Sequence, residues 1–534
     1  MGGGGGGADG SAAVPLLGTK RRRELGCPGC RLDERNKTNT GIPYLNFFYI
    51  WIVCLTSTLP IQSLFPYLYF MIRDLKIAKQ EQDIGFYAGF VGATYFLART
   101  FSSVPWGIFA DKYGRKPCIV ISILSVIVFN TLFGLSTSYW MAIVTRGLLG
   151  LLCGILGPIK AYATEVCRKE HQALGISLVT SSRAIALVIG PAIGGFLAQP
   201  AEKYPNLFSK ESIFGRFPYF LPCFVISILA AGSCIACIWL PETLHFHDDE
   251  KIEAIDEVEA QVGDLNSEVG KAKESSDTST KNLLKNWQLM SAIIIYCVFC
   301  LHDTAYLETF SLWAVSSRKF RGLSLSSQDV GTVLAVSGVG VLVYQLAVYP
   351  FIAKYFGPIR PLRPAAILSI LLLTTYPFMA NLQGFDLIIL INIASLLKNA
   401  TITTACNIIQ NTAVTQQQRG VANGISVTLM SLFKGVAPAA AGIMFSWAQK
   451  HMTGLFLPGD QILFLTINMV SVIGLILTFK PFFSMSNALR RGAAPQWCSE
   501  LRWERRREKE KLEESELRWH SHLIGLPYNS ANHC

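Results

Sequence analysis

The chain has 534 residues, of which 51% are hydrophobic and only 16% charged, with a formal net charge of +11. Soluble domains average about 25% charged residues. Here the charge is gathered in the two ends and one central segment, as a bilayer imposes, because a charge in hydrocarbon costs kilocalories. The positive balance does not indicate a nucleic-acid partner: the basic residues lie in short loops and tails, as the bias of Lys and Arg toward cytoplasmic loops predicts, and no basic stripe lies on a nucleic-acid fold.

The chain opens Gly-rich and then basic, and its first apolar run is too long for the core of a signal peptide, so none is expected. Gly at position 6, where Ser or Thr is needed, argues against myristoylation of Gly2. Cys27-Pro28-Gly29-Cys30 precedes the first apolar run. Two thiolates are half of what a structural zinc site takes. His245 and His247 are a second potential soft-metal pair.

Spanning a bilayer takes about 20 apolar residues. Twelve runs meet or approach that length, at about 44–71, 84–109, 118–135, 140–163, 174–198, 217–240, 288–312, 329–353, 364–380, 386–410, 420–447 and 459–482. In lipid such runs are helices. The predicted organisation is an N-terminal tail over 1–43, a six-helix lobe over 44–240, an acidic linker over 241–287, a second six-helix lobe over 288–482 and a charged tail over 483–534. An even number of spans places both ends on one side. Lys20, Arg21, Arg22, Arg23, Arg31, Arg35 and Lys37 favour the cytoplasmic side for them.

The two halves echo each other. Leu174-Gly175-Ile176-Ser177 recurs as Asn423-Gly424-Ile425-Ser426. Gly190-Pro191 with Gly194-Gly195 recurs as Ala437-Pro438 with Ala441-Gly442, and Ala110 to Gly114 returns more weakly in Ala353 to Gly357. A near-constant offset of about 245 residues marks parallel repeats of the kind found in two-lobed transporters.

Between runs two and three lies Trp106-Gly107-Ile108-Phe109-Ala110-Asp111-Lys112-Tyr113-Gly114-Arg115-Lys116. Gly107 permits close helix approach, Gly114 a tight turn, and Asp111 suits the positive end of a neighbouring helix. Arg146, inside run four with Gly150 and Gly154 following, is expected to face the bundle interior. Arg99, Arg183, His302, Asp303, Glu308, Lys398 and Lys434 also fall within apolar runs. His302 and Asp303 precede Tyr306 by one turn and can share its face. A buried carboxylate beside a His suits proton exchange, so Asp303 is the expected coupling group, with Arg146 second. The candidate proton-coupling or substrate residues are thus Arg146, His302, Asp303, Glu308 and Lys398, although Glu308 lies nearer the helix end, where simple solvation is the alternative. Fourteen Cys, most of them inside apolar runs, read as small hydrophobes rather than a disulfide framework.

The loop between runs two and three resembles the signature of the major facilitator superfamily. That resemblance implies an all-α membrane fold of twelve helices in two lobes and a gate in which Asp111 meets the start of run eleven near Gly420. Arg146 resembles the arginine of proton-coupled members, and Gly190-Pro191-Ala192-Ile193-Gly194-Gly195 resembles the antiporter signature. Further segments are similar to the plant zinc-induced facilitator-like family. They are Cys27-Pro28-Gly29-Cys30, Phe70-Met71-Ile72-Arg73-Asp74, Asp83 to Gly89, Gly157-Pro158-Ile159-Lys160-Ala161-Tyr162 and Pro241-Glu242-Thr243-Leu244-His245. The likeness implies a monomeric proton-coupled antiporter of the vacuolar or plasma membrane. Its cargo would be zinc, a chelator such as nicotianamine or a phytosiderophore, potassium or a related solute. Ser182-Arg183 departs from the aromatic–glycine pair expected there, and the chain leaves the family pattern after Phe483. A transport-like receptor without net flux is the competing reading. No enzyme, cofactor or ATP-driven pump is expected, since no nucleophile–base pair and no Walker A sequence stands out.

Overall fold

The computed structural model describes residues 27–38, 41–244, 287–348, 352, 362–412, 419–451 and 458–479, with side chains outside 169, 173, 288, 400–412 and 419–424. His245, His247, the acidic linker and the charged tail lie outside the described residues. Regular structure among the described residues is helical throughout.

Each apolar run forms a helix. In the first lobe these are α1 (Tyr44–Gln62), α2 (Ile84–Tyr113), α3 (Arg115–Gly134), α4 (Tyr139–Leu152), α5 (Gln172–Leu197) and α6 (Phe220–Ala236). The second lobe contains α7 (Trp287–Val315), α8 (Ser327–Val343), α9 (Leu362–Met379), α10 (Gly384–Thr412), α11 (Arg419–Lys450) and α12 (Gly459–Leu477). Two runs are broken. The first turns after Pro60 and resumes as Leu68–Asp74, and the fourth breaks at Cys153–Gly157 and resumes as Pro158–Glu165, with Pro158 at the first helical position. Nine helices are long and apolar enough, among the described residues, to cross a membrane. The other three are α2, diluted by Gly85, Gly89, Gly92 and Arg99, the broken α4, and α10, whose second half has no described side chains.

α2 packs along α11 and α5 along α8, joining the lobes at two equivalent seams. Both seams are made of small residues. A Cβ added to Gly195 would lie 2.7 Å from the Ser327 carbonyl oxygen and 2.8 Å from the Gly331 Cα. One added to Gly89 would lie 2.9 Å from the Gly442 Cα and closer still to the Pro438 carbonyl oxygen. Such backbone contact is how helices associate in lipid, where burial of apolar side chains supplies no drive. The repeated motif predicted from Gly190-Pro191 and Ala437-Pro438 therefore lies at the two symmetry-related places where the lobes touch.

These contacts gather on the side of the bundle away from Gly114, here the far side. One continuous apolar cluster crosses the lobes there, from Tyr67 and Ile72 through Tyr306, Trp313 and Tyr376 to Phe445. Lys450 to Asp83 (2.6 Å) and the Phe86 N–H to the Ser446 hydroxyl (2.8 Å) close the rim. Lys203 donates to the Gly195 carbonyl and to Ser327 Oγ (2.7 Å), and burial holds its ammonium down to about 8 against the pull of Asp329 and Glu202. On the loop side the buried clusters are separate, around Tyr95, Ile119 and Tyr162 in the first lobe and Tyr296, Phe299 and Met430 in the second, with Leu156 at the break in α4 packing against the second. The α2 face that meets α11 continues past Leu97 as Phe101, Val104 and Ile108, which are 78%, 56% and 63% exposed. The lobes thus touch closely on the far side and, Leu156 apart, diverge toward the loop side along α2.

Gly89→Val forces α2 and α11 apart, and overpacking of this kind costs about 1–3 kcal/mol. The far side is then expected to open: a cysteine placed at Ser446 should be labelled by an impermeant maleimide about tenfold faster than in the parent, since each 1.4 kcal/mol is a factor of ten. Unchanged labelling would mean that the seam does not set the closed side.

Candidate functional site

The cavity between the lobes is lined by Gln62, Phe65 and Pro191 from the first lobe and by Asp303, Ser337 and Asn399 from the second. Its polar floor is an ordered set. Asp303 Oδ1 lies 3.2 Å from Lys398 Nζ, with the lysine fully buried and the aspartate 22% exposed. The same ammonium reaches Asn399 Oδ1 at 3.2 Å and sits 3.4 Å from the centre of the Tyr306 ring. Asn399 donates to Ser337 Oγ (2.9 Å), tying α10 to α8. The Tyr306 hydroxyl meets Tyr376 (2.8 Å) and Ser395 (3.3 Å). A cation over an aromatic face and beside a carboxylate is how a lysine can be held away from water.

α7 carries the predicted group in three directions. Asp303 and Tyr306, one turn apart, share the face that meets Lys398. His302 does not join them: it is fully buried, and neither ring nitrogen has a hydrogen-bond partner among the described residues. Glu308 also departs from expectation. α7 runs to Val315, so Glu308 lies well inside it rather than at a solvated end, and it is only 1% exposed. Its carboxylate faces the α2–α11 seam, 3.2 Å from where a Cβ on Gly92 would stand, and neither oxygen has a partner among the described residues.

Arg146 faces inward as predicted. It donates to the Pro60 carbonyl (3.0 Å) in the last turn of α1, and its guanidinium lies 4.0 Å above the Phe133 ring. Nε and the second terminal nitrogen have no partner among the described residues.

The loop signature organises the first lobe's loop side. Gly114 adopts φ +113°, a conformation open to glycine, and a Cβ there would stand 2.6 Å from Glu242 Oε2. Glu242 caps α3: its oxygens accept from the Arg115 N–H (2.9 Å) and the Lys116 N–H (3.0 Å). Arg115 pairs with Asp111 and with Glu165 (3.3 Å), and Lys116 donates to the Ile238 carbonyl (2.9 Å). Asp111 itself is 70% exposed. The α11 side chains near Gly420 lie outside the described set. Gly107 has open space around it.

Gly190 and Gly194 of the antiporter-like motif pack against Gln62 and Ser63 of α1's end, while Gly195 meets α8. One motif thereby sets both the fit within its lobe and the seam between lobes. Cys27 and Cys30 start a short helix, Pro28–Thr38, whose Gly29 N–H donates to the Leu244 carbonyl (3.2 Å). No group of three or more potential metal ligands occurs among the described residues.

Sequence reading missed Glu242, Ser337, Asn399 and the Tyr306–Tyr376–Ser395 set. Asn399 stood beside Lys398 as a polar residue in an apolar run, which was a usable signal; Glu242 stood only in a short Pro-Glu-Thr turn.

A family model of the Major Facilitator Superfamily matches residues 50–438. Protein ZINC INDUCED FACILITATOR 1 of Arabidopsis thaliana is 50% identical over 467 residues, covering 86% of this chain and 96% of that one. Protein ZINC INDUCED FACILITATOR-LIKE 1 of the same plant is 51% identical, with 86% and 96% covered. Among solved structures, a D-xylose–proton symporter superposes with TM-score 0.59 at 12% identity, covering 83% of this chain and 97% of its own. A bacterial homologue of the human lysosomal transporter Spinster, in an inward-facing occupied conformation, gives 0.57 at 12% identity, covering 82% and 98%.

The capping geometry separates two acids of the same loop. Glu242→Ala strips a cap from α3 and should lower stability by about 1–2 kcal/mol. Asp111→Asn, at an exposed site, should change it by less than about 0.5 kcal/mol. Thermal unfolding of the solubilised protein checks both, and equal losses would reassign the cap.

Proposed function

The chain belongs to the major facilitator superfamily and within it to the zinc-induced facilitator-like transporters, as a multi-pass membrane protein, and on that premise we propose that it is a proton-coupled antiporter. Its cargo is zinc, a metal chelator such as nicotianamine or a phytosiderophore, or a related small solute, moved out of the cytoplasm across the vacuolar or plasma membrane by a single copy of the chain.

The observation that carries this reading is Glu308. A charge left without a partner in a dry helix seam is costly, and a proton on the carboxyl removes that cost. With the loop side cytoplasmic, the arrangement is an inward-facing one in which Glu308 is sealed between α2, α7 and α11. Opening the far side parts that seam and gives Glu308 to water, where the proton can leave or enter. Asp303 has a different task. Its charge is matched by Lys398 until a cationic part of the cargo competes for it, which frees the lysine and changes the floor joining α7, α8 and α10. The sequence expectation put the proton on Asp303; the ion pair with Lys398 supports giving that role to Glu308 instead. Proton and cargo then weaken each other's binding, as antiport requires. In the outward-facing state Asp111 closes on the start of α11 and Phe101, Val104 and Ile108 are covered.

Flux into proteoliposomes with zinc, nicotianamine, mugineic acid and potassium, under an imposed pH gradient alone, tests this. The parent should concentrate at least one of them. Glu308→Gln should retain exchange at equal concentrations but lose more than about tenfold of gradient-driven accumulation. Accumulation at the parent's level in that variant would remove Glu308 from coupling, and no flux of any of the four would remove the cargo assignment. Asp111→Asn should lower flux several-fold in either mode, since a carboxylate at a helix end contributes about 1 kcal/mol.

A further inference from the structure

Three cations of the first lobe take no part in this account. Arg99 on α2 is buried; Lys160, on the helix Pro158–Glu165 that continues α4, and Arg183 on α5 are half-buried. All three flank one apolar cluster, around Cys54, Tyr95, Cys153, Ile159 and Val179. Lys160 lies within the electrostatic reach of both Arg183 and Arg99 and of the Cys54 thiol on α1. Cys54 in turn meets the Ser182 hydroxyl and the field of Arg183, and Arg99 acts on Cys153 at the break in α4. Four segments of the first lobe therefore converge on this cluster of charges.

No described carboxylate stands within ion-pair distance of any of the three. Three acids of the first lobe's loop side are engaged elsewhere. Glu165 is held by Arg115 and Thr243, Asp111 by Arg115, and Glu242 by backbone N–H groups at the start of α3. Cations held inside a membrane bundle without a counter-charge are costly, and like charges close together add repulsion. Lys160 and Arg183 are each partly exposed, and so remain reachable. The cavity between the lobes carries the opposite sign, in Asp303 of the second lobe, and Leu187 in its lining stands one helical turn beyond Arg183 on α5.

We propose that Arg99, Lys160 and Arg183 form the anion-binding half of the substrate site and take a small organic molecule bearing two or more carboxylates. The missing counter-charge is the cargo's own. Three cations on three separate helices suit charges spread along a molecule rather than one compact anion, and bidentate pairing favours carboxylate at the two arginines. This inference rests on the transport reading above and narrows it: the carried species is the organic acid, alone or with a bound metal, and not the free cation.

The test uses the purified full chain with nicotianamine, its fully methyl-esterified form and inorganic phosphate as probes. Nicotianamine should raise the melting temperature, and the ester and phosphate should not. Arg99→Gln, Lys160→Gln and Arg183→Gln should each abolish that rise and increase the half-saturating concentration for nicotianamine flux at least tenfold, while Arg183→Lys recovers part of both. Without ligand, each neutral variant should melt at or above the parent, because it removes an uncompensated charge. Variants that melt well below the parent without ligand would show that the cations are partnered within the protein, and would overturn the proposal. An equal shift with phosphate would overturn the carboxylate assignment. Vesicles that concentrate zinc or potassium but neither bind nor carry nicotianamine would leave the antiporter standing and sink this site.

Discussion

At two places in the bundle backbone meets backbone with no side chain between: Gly195 of α5 against Gly331 of α8, and Gly89 of α2 against Gly442 of α11. The approach is possible only because these residues lack a Cβ, and it fixes the far ends of the lobes together. The apolar cluster that crosses from Tyr67 to Phe445 forms around it, Glu308 is shut in by it, and the loop-side ends are left apart. A contact made of backbone has few rotamers to rearrange, so the lobes can separate there as rigid bodies rather than by repacking.

Much of the fold was legible in sequence because lipid enforces one rule on every span. The twelve apolar runs each became a helix, and the recurrence of Gly190-Pro191 as Ala437-Pro438 located both seams. The breaks were less visible. The apolar runs at 44–71 and 140–163 read as unbroken across Pro60 and Cys153–Gly157, yet Arg146 finds its acceptor at the first of these and Lys160 follows the second. The site was legible as a list of charges and not as a set of pairs. Lys398 and Asp303 are 95 residues apart, and only packing brings them to 3.2 Å. Glu242 is separated from its acceptor role at Arg115 by 127 residues, and nothing in a Pro-Glu-Thr turn advertises it. A run closed at 312 leaves Glu308 near a helix end, where solvation competes with a coupling role; α7 continues to Val315 and carries the carboxylate inside.

The lobes divide the charge between them. In the first, Arg99, Arg146, Lys160 and Arg183 project from spanning helices or their continuation, and its acids are kept to the rims. In the second, Asp303 and Glu308 share α7, and of the span cations Lys398 and Lys434 it is Lys398 that pairs with Asp303. The two lobes are thus unlike in electrostatics while alike in packing at their seams. The likeness is carried by glycine and proline, and the difference by the charged residues between them.

The short helix Pro28–Thr38 ties the beginning of the first lobe to its end. Gly29 donates to the carbonyl of Leu244, and Arg168 donates to the carbonyls of Asn36 and Lys37. Leu244 is synthesised after α6 is complete, so during translation this clasp cannot form until all six helices of the lobe have been made. Domains fold as units, the N-terminal one first. The clasp therefore fastens the first half of the molecule while the second is still to be made, and α7 meets a finished surface rather than six loose helices.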